Sequence, residues 1–251
     1  MPPWALRNDM DIRAGEVMHD WDIIAARDPF FGVLSADEYR AARIDAQAIQ
    51  RFYESGDQDI QRVLEWFDAD LGARPTEGIA LDIGCGVGRL SHAMARVMPG
   101  VVGYDISEVM LRIARDTAPA NLTLTQTLPP GPFDWINSYI VFQHIPPAEG
   151  LELLANCLDR AAPKAFLSVQ ITGWRDGPPA PPGNLRGRFH LGRSLQRHRQ
   201  AGQSAEQLIQ MHDYNFSKVL KLITERGFSR IMLRHTAHGI HHGAWFLAQR
   251  T

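Results

Sequence analysis

The sequence predicts an α/β fold, a doubly wound parallel sheet with helices on both faces. From Gly78 onward, short apolar segments alternate with amphipathic segments of helical period. A glycine-rich segment, 84–88, follows the first of these apolar segments and precedes the first helix of the series. Strand–helix alternation is typical of a parallel sheet covered by helices. Ligands of such sheets bind at the carboxyl ends of the strands, near the point where the strand order reverses.

The individual elements follow from apolar spacing and from turn residues. The predicted strands cover 79–83, 100–105, 122–127, 135–142, 165–171, 228–235 and 244–249. The predicted helices cover 89–98, 108–117, 148–160 and 216–226. Ser107 is suited to the N-cap of the second helix, and Gly227 ends the last one. We expect the two final strands to pair with each other.

The N-terminal part of the chain has apolar residues at helical spacing and is predicted to be mostly helical. Trp21, Ile24 and Ala25 lie at helical spacing. A second apolar helical face consists of Ile60, Val63, Leu64 and Phe67. The predicted organisation is a helical cap (1–75), a core with the glycine-rich segment (76–171), an Arg/Pro/Gly-rich insertion (172–205) and a C-terminal helix and strand hairpin that complete the core (206–251).

The composition excludes several classes of protein. With 251 residues, 45% of them hydrophobic, 22% charged and a net charge of −2, the chain is neither collagen-like nor disordered. Its two cysteines, Cys85 and Cys157, build no disulfide framework and favour a reducing compartment. No apolar run reaches the roughly 20 residues that span a bilayer. The first residues also lack the basic-then-apolar pattern of a secretory signal. We therefore expect a cytoplasmic protein.

The predicted insertion carries a local excess of positive charge. Between Thr172 and Gln200 there are six arginines and one acidic residue, Asp176, among several prolines and glycines. Such a segment does not belong to a regular core. It faces either an anionic group or water.

The glycine-rich segment carries the sharpest motif. Asp82 ends the first strand, and three glycines follow at alternate positions, Gly84, Gly86 and Gly88. Glycines there allow a ligand to approach the backbone closely. A dinucleotide-binding loop needs its third glycine three positions after the second, where this chain has Arg89. The spacing therefore disfavours a nicotinamide-dependent oxidoreductase.

A second acidic residue follows the second strand. Asp105 can accept hydrogen bonds from the two vicinal hydroxyls of an unphosphorylated ribose. Its alternative role is that of a charge at the start of the next helix. Dinucleotide enzymes and adenosine-sulfonium enzymes share such an acid, so Asp105 alone does not separate these two classes.

Together, the motif Asp82-x-Gly84-x-Gly86-x-Gly88 and the segment 103–107 (GYDIS) resemble the class I S-adenosylmethionine-dependent methyltransferases. The resemblance covers roughly 50–171 and 205–250. It implies a seven-stranded sheet whose last strand is antiparallel, S-adenosylmethionine (SAM) as cofactor and S-adenosylhomocysteine (SAH) as product. The cofactor-binding residues that it implies are Asp82, Gly84, Cys85, Gly86, Gly88, Asp105, Ile106, Gln126 and Tyr139.

The resemblance also assigns roles within this set. The glycine loop holds the methionyl part of the cofactor, with Asp82 near its amino group. Asp105 binds the ribose, and Ile106 packs on the adenine. Gln126 stands near the place where many members carry an acid or amide for the adenine amino group. Aromatic residues of the cap, Trp21 among them, either close over the cofactor or pack the helices.

The end of the fourth strand is where catalytic groups of this family usually lie. His144 has an ordinary pKa near 6.5, which suits a general base for a hydroxyl acceptor. A histidine here can instead shape the pocket floor, and both roles stay open. The predicted substrate-binding residues are Gln143, His212, Tyr214 and His241.

The expected reaction is O-methylation of a hydroxyl or carboxylate on a small molecule or glycan, and the arginine-rich insertion hints at an anionic acceptor. The alternatives are a small-molecule N-methyltransferase, a nicotinamide-dependent oxidoreductase and a non-catalytic adenosine-ligand binding module. Nucleic acid is disfavoured because the segment 145–148 (IPPA) lacks the polar first and aromatic last residue of the base-methylating tetrad.

The C-terminal histidines raise the question of a metal site. They are His235, His238, His241 and His242. Consecutive residues of a strand point to opposite faces, so the four cannot all converge on one ion. We assign no metal ligand; these histidines line the substrate pocket or belong to a solvated turn.

Overall fold

The computed structural model describes residues 20–177 and 209–251. These ranges contain a seven-stranded sheet in the order β3-β2-β1-β4-β5-β7-β6. The strands are β1 Ile79–Ile83, β2 Gly100–Tyr104, β3 Leu122–Thr125, β4 Phe133–Ser138, β5 Ala161–Arg175, β6 Phe228–His238 and β7 His241–Arg250. Strands β1 to β5 are parallel, and β7 lies antiparallel between β5 and β6. The predicted fold class and the antiparallel last strand are confirmed.

Seven helices accompany the sheet in the described ranges. They are α1 (20–27), α2 Pro29–Val33, α3 Ala46–Leu71, α4 Arg89–Ala95, α5 Glu108–Arg115, α6 Pro147–Leu158 and α7 Phe216–Glu225. Side chains cap three of them: Asp45 accepts from Ala48 N, Ser107 from Met110 N and Asn215 from Lys218 N. The predicted cap at Ser107 is confirmed. None of the helices within 20–177 and 209–251 combines the length and apolarity needed to cross a membrane.

The helices cover the two faces of the sheet. On one face α6 and α7 bury Leu154, Leu158, Val219 and Ile223 against the parallel strands. On the other face α4 and the second half of α3 pack against the sheet, and their buried residues are Ile60, Val63, Leu64, Phe67, Leu90 and Met94. The sheet therefore exposes its strand ends, rather than its faces, to a ligand.

A third apolar cluster joins the N-terminal helices to the rest of the fold. Ile24, Phe31 and Phe52 are buried there with Val87 of the glycine-rich segment and Met110 of α5. The cap therefore packs directly on the two loops that carry the cofactor motifs. The first half of α3 packs in this cluster, and the second half of α3 packs against the sheet.

Most strands differ from the prediction in one or both of their ends, and two of these changes affect the site. β4 ends at Ser138 instead of 142, because Ile140 adopts a positive φ of 60° that leaves the extended conformation. β5 continues past 171 to Arg175, since its last residues pair with β7. The first residues of the predicted insertion are thus strand, and 178–205 lie outside the described residues.

Candidate active site

The strand order reverses between β1 and β4, so the carboxyl ends of these two strands lie side by side. The loops that follow them enclose a cavity of about 260 Å³. Its walls come from the glycine loop, the end of β2, the segment between β4 and α6, and the cap. Asp105 and His144 both line it, so the two sequence motifs share one cavity. This is the location expected for a ligand of a doubly wound sheet.

The glycine loop is held close to the end of β2. The backbone N–H groups of Gly84 and Cys85 both donate to Tyr104 O, at 2.7 and 3.1 Å. Gly84 has a φ of 69°, and a Cβ there would lie 2.5 Å from the Val141 methyl groups. Gly84 and Gly86 line the cavity, whereas Cys85 and Gly88 do not. The loop thus presents bare backbone to a ligand.

Asp105 is held in place by two backbone donors. Its Oδ2 accepts from Gly86 N at 2.8 Å and its Oδ1 from Ser107 N at 2.9 Å. Burial raises the pKa of Asp105, and the nearby Asp22 carboxylate adds to this effect. Each carboxylate oxygen has a further lone pair, so Asp105 can accept hydrogen bonds from additional donors.

Ile106 and Gln126, which the resemblance assigns to the adenine, both lie at the loop that follows β2. Ile106 lines the cavity next to Asp105. The side chain of Gln126 lies outside the cavity wall, where its Nε2 donates to Ile106 O at 2.8 Å. Gln126 therefore holds the loop in the described structure.

Asp82 lies beneath the glycine loop and is 2% exposed. Ser91 Oγ donates to its Oδ2 at 2.6 Å, and Asn137 Nδ2 donates to its Oδ1 at 3.0 Å. Burial raises the pKa of Asp82 to about 6. Asn137 in turn accepts from Ser168 Oγ at 2.7 Å. Sequence reasoning missed this network, although polar residues inside apolar strands are a signal for one.

His144 follows β4 in a short 3₁₀ turn, Phe142–His144. Its Nδ1 lies 2.8 Å from Gln210 O. A carbonyl oxygen only accepts, so Nδ1 carries the proton and Nε2 has the lone pair. Gln143 Nε2 donates to that lone pair at 3.2 Å, and the edge of the Trp21 ring packs against the imidazole. Burial lowers the pKa of His144 to about 4, so the ring is neutral at pH 7.

The predicted substrate residues fall into two groups. His212 and His241 lie near His144. A positive charge on either ring would therefore lower the pKa of His144 further. Among the described residues, no partner bonds to the buried His212 Nε2 or His241 Nδ1. Gln143 connects β5 to the segment before α7. Its Oε1 accepts from Thr172 Oγ1 of β5, and its backbone carbonyl accepts from His212 N. None of Gln143, His212 and His241 is among the residues that line the cavity.

Tyr214 lies elsewhere. Its ring is buried in the core against Phe142, and its hydroxyl donates to Ile145 O at 2.8 Å. Tyr139 does line the cavity, where its ring stacks on Trp245. The structure thus places Tyr139 in the cavity wall, whereas Tyr214 holds the segment after β4.

Several residues of the cavity wall were not predicted from the sequence. They are Gly32, Val33, Ile83, Tyr104, Met110, Ile140, Val141, Ile145, Pro146, Glu149 and Leu153, and Trp21 was noted only as one of the cap aromatics. Glu149 lies in the first turn of α6. Its only sequence signal was its place shortly after the fourth strand.

Two of the C-terminal histidines, His235 and His242, belong to an aromatic stack outside the cavity wall, whereas the ring of His238 contacts Tyr139. The rings of His235 and His242 stack on each other and on Trp174, and His242 Nε2 lies 2.9 Å from Asp176 Oδ2. In the described part of the chain, no three His, Cys, Asp or Glu side chains converge as metal ligands do. Of the six arginines of the basic stretch, Arg175 lies in the described ranges, and it pairs with Asp213 at 2.9 Å.

This sheet order, with a glycine loop after β1 and a ribose-type carboxylate after β2, defines the class of Rossmann-like proteins to which methyltransferases belong. Residues 80–164 match the family model described as a methyltransferase domain. This stretch, about a third of the chain, is thus similar to a methyltransferase domain.

Methyltransferases are also among the solved structures and curated sequences to which the chain is similar. A magnesium protoporphyrin IX methyltransferase from Synechocystis PCC 6803, crystallised with SAH, has the same fold, with a TM-score of 0.57 and 21% identity over 92% of this chain and 100% of that one. Two ubiquinone biosynthesis O-methyltransferases match part of the sequence. The one from Caulobacter vibrioides is 34% identical over 43% of this chain and 47% of its own length. The one from Caulobacter sp. strain K31 is 31% identical over 52% and 50%. The chain therefore spans about half the length of these curated relatives.

Proposed function

We propose that this protein is a SAM-dependent methyltransferase that methylates an oxygen atom of a small-molecule acceptor. The observation that carries the proposal is the single cavity that joins the Gly84–Gly86 loop and Asp105 to His144. The loop and the carboxylate proposed to hold SAM therefore line the same cavity as the neutral imidazole of His144. The relatives named as O-methyltransferases support the choice of oxygen.

The residues present fit this cofactor. Gly84 leaves the space that a Cβ would fill beside Val141, and Asp105 retains lone pairs for two ribose hydroxyls. Ile106 provides an apolar surface for the adenine, and Tyr139 lies on the methionyl side. When bound, SAM supplies an electrophilic methyl group on a sulfonium. The protein's part is to align an acceptor oxygen with that methyl and to exclude water.

His144 is the proposed general base. Its Nδ1–H is held by Gln210 O, so Nε2 points its lone pair away from that bond and accepts the acceptor's proton once Gln143 yields. A pKa of about 4 makes the imidazole a weak base. Acidic hydroxyls, such as phenols with a pKa near 10, therefore fit this base better than simple alcohols. A carboxylate acceptor needs no base, and His144 would then only shape the pocket.

N-methylation of a small molecule is the second candidate. Glu149 lines the same cavity wall as His144, and its carboxylate suits an amine donor better than an anion. An anionic or glycan acceptor depends on 178–205, outside the described residues. Both cysteines are free and buried, which supports the expected cytoplasmic location.

Calorimetric titration with SAH, with NADH as the control ligand, tests the cofactor. We expect SAH alone to bind, and Asp105→Ala to weaken it about 10-fold or more, because two hydrogen bonds to a carboxylate are lost. Binding of NADH instead would overturn the proposal.

Transfer of labelled methyl from SAM to phenols, carboxylic acids, sugars and amines then tests the acceptor. If His144 is the base, His144→Gln lowers turnover of a phenol about 10²- to 10⁴-fold at unchanged SAH affinity. A loss below 10-fold would leave His144 as a pocket wall, and transfer only to amines would favour the second candidate.

A further inference from the structure

Glu149 is an acidic residue in the part of the cavity wall that follows β4. It lies in the first turn of α6, on the same helical face as Leu153 one turn later, and both side chains line the cavity. His144 precedes this helix and lines the same wall. Glu149 therefore belongs to the part of the cavity that is proposed to receive the acceptor, on the side of the proposed base.

The charged residues of the cavity wall are both acidic. Within the described ranges, Asp105 and Glu149 line the cavity, and no lysine or arginine does. Asp105 lies after β2, where its two carboxylate oxygens accept from the backbone N–H groups of Gly86 and Ser107. The carboxylate of Glu149 is therefore the one that lies on the His144 side of the cavity.

Two arginines close to the site have ion pairs of their own, away from this wall. Arg175 pairs with Asp213 at 2.9 Å. Arg89 lines a second, smaller cavity of about 20 Å³ that shares Gly84 with the larger one, and there its Nη1 lies 2.7 Å from Asp59 Oδ2. Neither guanidinium lines the acceptor side of the larger cavity.

The histidines on this side of the cavity add no positive charge at neutral pH. Burial lowers the pKa of His212, and the nearby Glu149 carboxylate opposes this with a smaller effect. Burial also lowers the pKa of His144, so both rings are mostly neutral at pH 7. A cation that enters the cavity is therefore attracted by Glu149, whereas an anion is repelled by it.

The neighbouring part of the wall is apolar. Trp21 of the cap, Ile145, Pro146 and Leu153 line it. Such a surface favours the apolar body of a ligand, and a carboxylate within it accepts a strong hydrogen bond from an ammonium group. The ring of Trp21 is a further group that attracts a cation. The wall thus complements a molecule with an apolar body and a positively charged end.

We propose that Glu149 selects the acceptor by charge: it binds the protonated amine of a largely apolar phenol and excludes carboxylated phenols. This inference rests on the proposed function, because it assigns the acceptor side of the same cavity. The phenol oxygen gains the methyl group and gives its proton to His144 Nε2, leaving SAH. The amine lies apart from the reacting oxygen, and its nitrogen keeps its proton at Glu149, so it has no lone pair with which to take the methyl group.

Three phenols that differ in the charge of one side chain test the proposal. Tyramine is cationic, tyrosol is neutral and para-hydroxyphenylacetate is anionic, and each is titrated by calorimetry into protein saturated with SAH. We expect the wild type to bind tyramine about 10-fold more tightly than tyrosol, and para-hydroxyphenylacetate about 10-fold more weakly, the size of a charge-assisted hydrogen bond. Glu149→Gln should remove this order, and Glu149→Asp, which keeps the charge, should retain it.

Glu152→Gln is the matched control, since Glu152 is an exposed residue of the same helix and lines neither cavity. It removes the same charge from α6 and should leave the order of the three phenols unchanged. Titration with SAH shows first that each variant folds. If the wild type does not bind SAH, the proposed function itself is refuted.

The remaining outcomes bear on Glu149 alone. Equal binding of the three phenols by the wild type, an order that survives in Glu149→Gln, or binding of SAH without any of the phenols would each overturn the proposal. Transfer of labelled methyl from SAM to tyramine, analysed by mass spectrometry, gives the methylated atom. We expect methyl on the oxygen; methyl on the nitrogen would place the amine at the reacting centre and also overturn the proposal.

Discussion

At the scale of single residues, Gly84 combines two constraints that only a glycine meets. Its backbone has a positive φ, and its missing Cβ leaves room beside Val141. Both constraints serve the approach of a ligand to the loop backbone, because Gly84 lies in the wall of both cavities. A side chain here would strain the fold and fill the site at once.

We expect Gly84→Ala to weaken SAH binding about 10-fold or more, since the new methyl group and Val141 must move into the cofactor space. The left-handed backbone alone should lower the free energy of unfolding by about 1–2 kcal/mol. Gly72→Ala is the matched control, because Gly72 also has a φ of 69° but nothing lies within 4 Å of a Cβ there. Calorimetry and urea unfolding of both variants check this. Equal effects of the two substitutions on SAH binding would contradict it.

At the scale of elements, the start of α5 connects the loop that carries Asp105 to the cap. Ser107 Oγ accepts from Met110 N as the helix cap and donates to Asp22 Oδ1 of α1 at 2.6 Å. Ser107 N also donates to Asp105. One short segment therefore positions Asp105, begins a helix and holds the cap over the cavity.

We expect Ser107→Ala to cost about 1 kcal/mol of stability through the lost helix cap, and also to weaken SAH binding several-fold by releasing α1. Asn215→Ala removes a cap of the same kind from α7, and Asn215 does not line either cavity. That variant should lose similar stability at unchanged SAH affinity, as measured by urea unfolding and calorimetry. A matching loss of affinity in Asn215→Ala would show that general destabilisation, and not the link to the cap, weakens binding.

At the scale of the whole molecule, the site lies where three parts of the chain meet. The sheet provides the glycine loop and β4, the cap provides Trp21, and the segment before α7 provides the Gln210 carbonyl. Their packing removes water from His144 and keeps it neutral. The stability of the fold should therefore depend on pH through this residue.

The sign follows from the two pKa values of His144. The folded value is about 4 and the unfolded value about 6.5, so between them the unfolded chain binds more protons. This contribution is complete above pH 6.5 and is lost as the pH falls toward 4. We expect the wild type to lose on the order of 3 kcal/mol more than His144→Gln between pH 7 and 4, by urea unfolding at several pH values. Asp82, with its raised pKa, acts in the opposite direction but cancels in this difference. If the free energy of unfolding changed with pH in the same way in both proteins, the lowered pKa of His144 would be refuted.

The sequence by itself determined the order of strands and helices, the glycine loop and the place of Asp105. These features depend on spacing along one short stretch, where side-chain period and backbone conformation decide the outcome. The Ser107 cap was predictable for the same reason, since its partner Met110 is three residues away. The error at the end of β4 arose from the backbone of Ile140, whose positive φ is rare for a β-branched residue.

Only the tertiary structure decided what surrounds the chemically important groups. His144 receives its tautomer from a carbonyl 66 residues later in the chain, and Arg89 its ion pair from Asp59, 30 residues earlier. The glycine loop and His144 likewise line one cavity because β1 and β4 are neighbours in the sheet. The pKa of a buried group and the hydrogen-bond partners of its polar atoms depend on which distant segments pack around it. No local spacing encodes that packing.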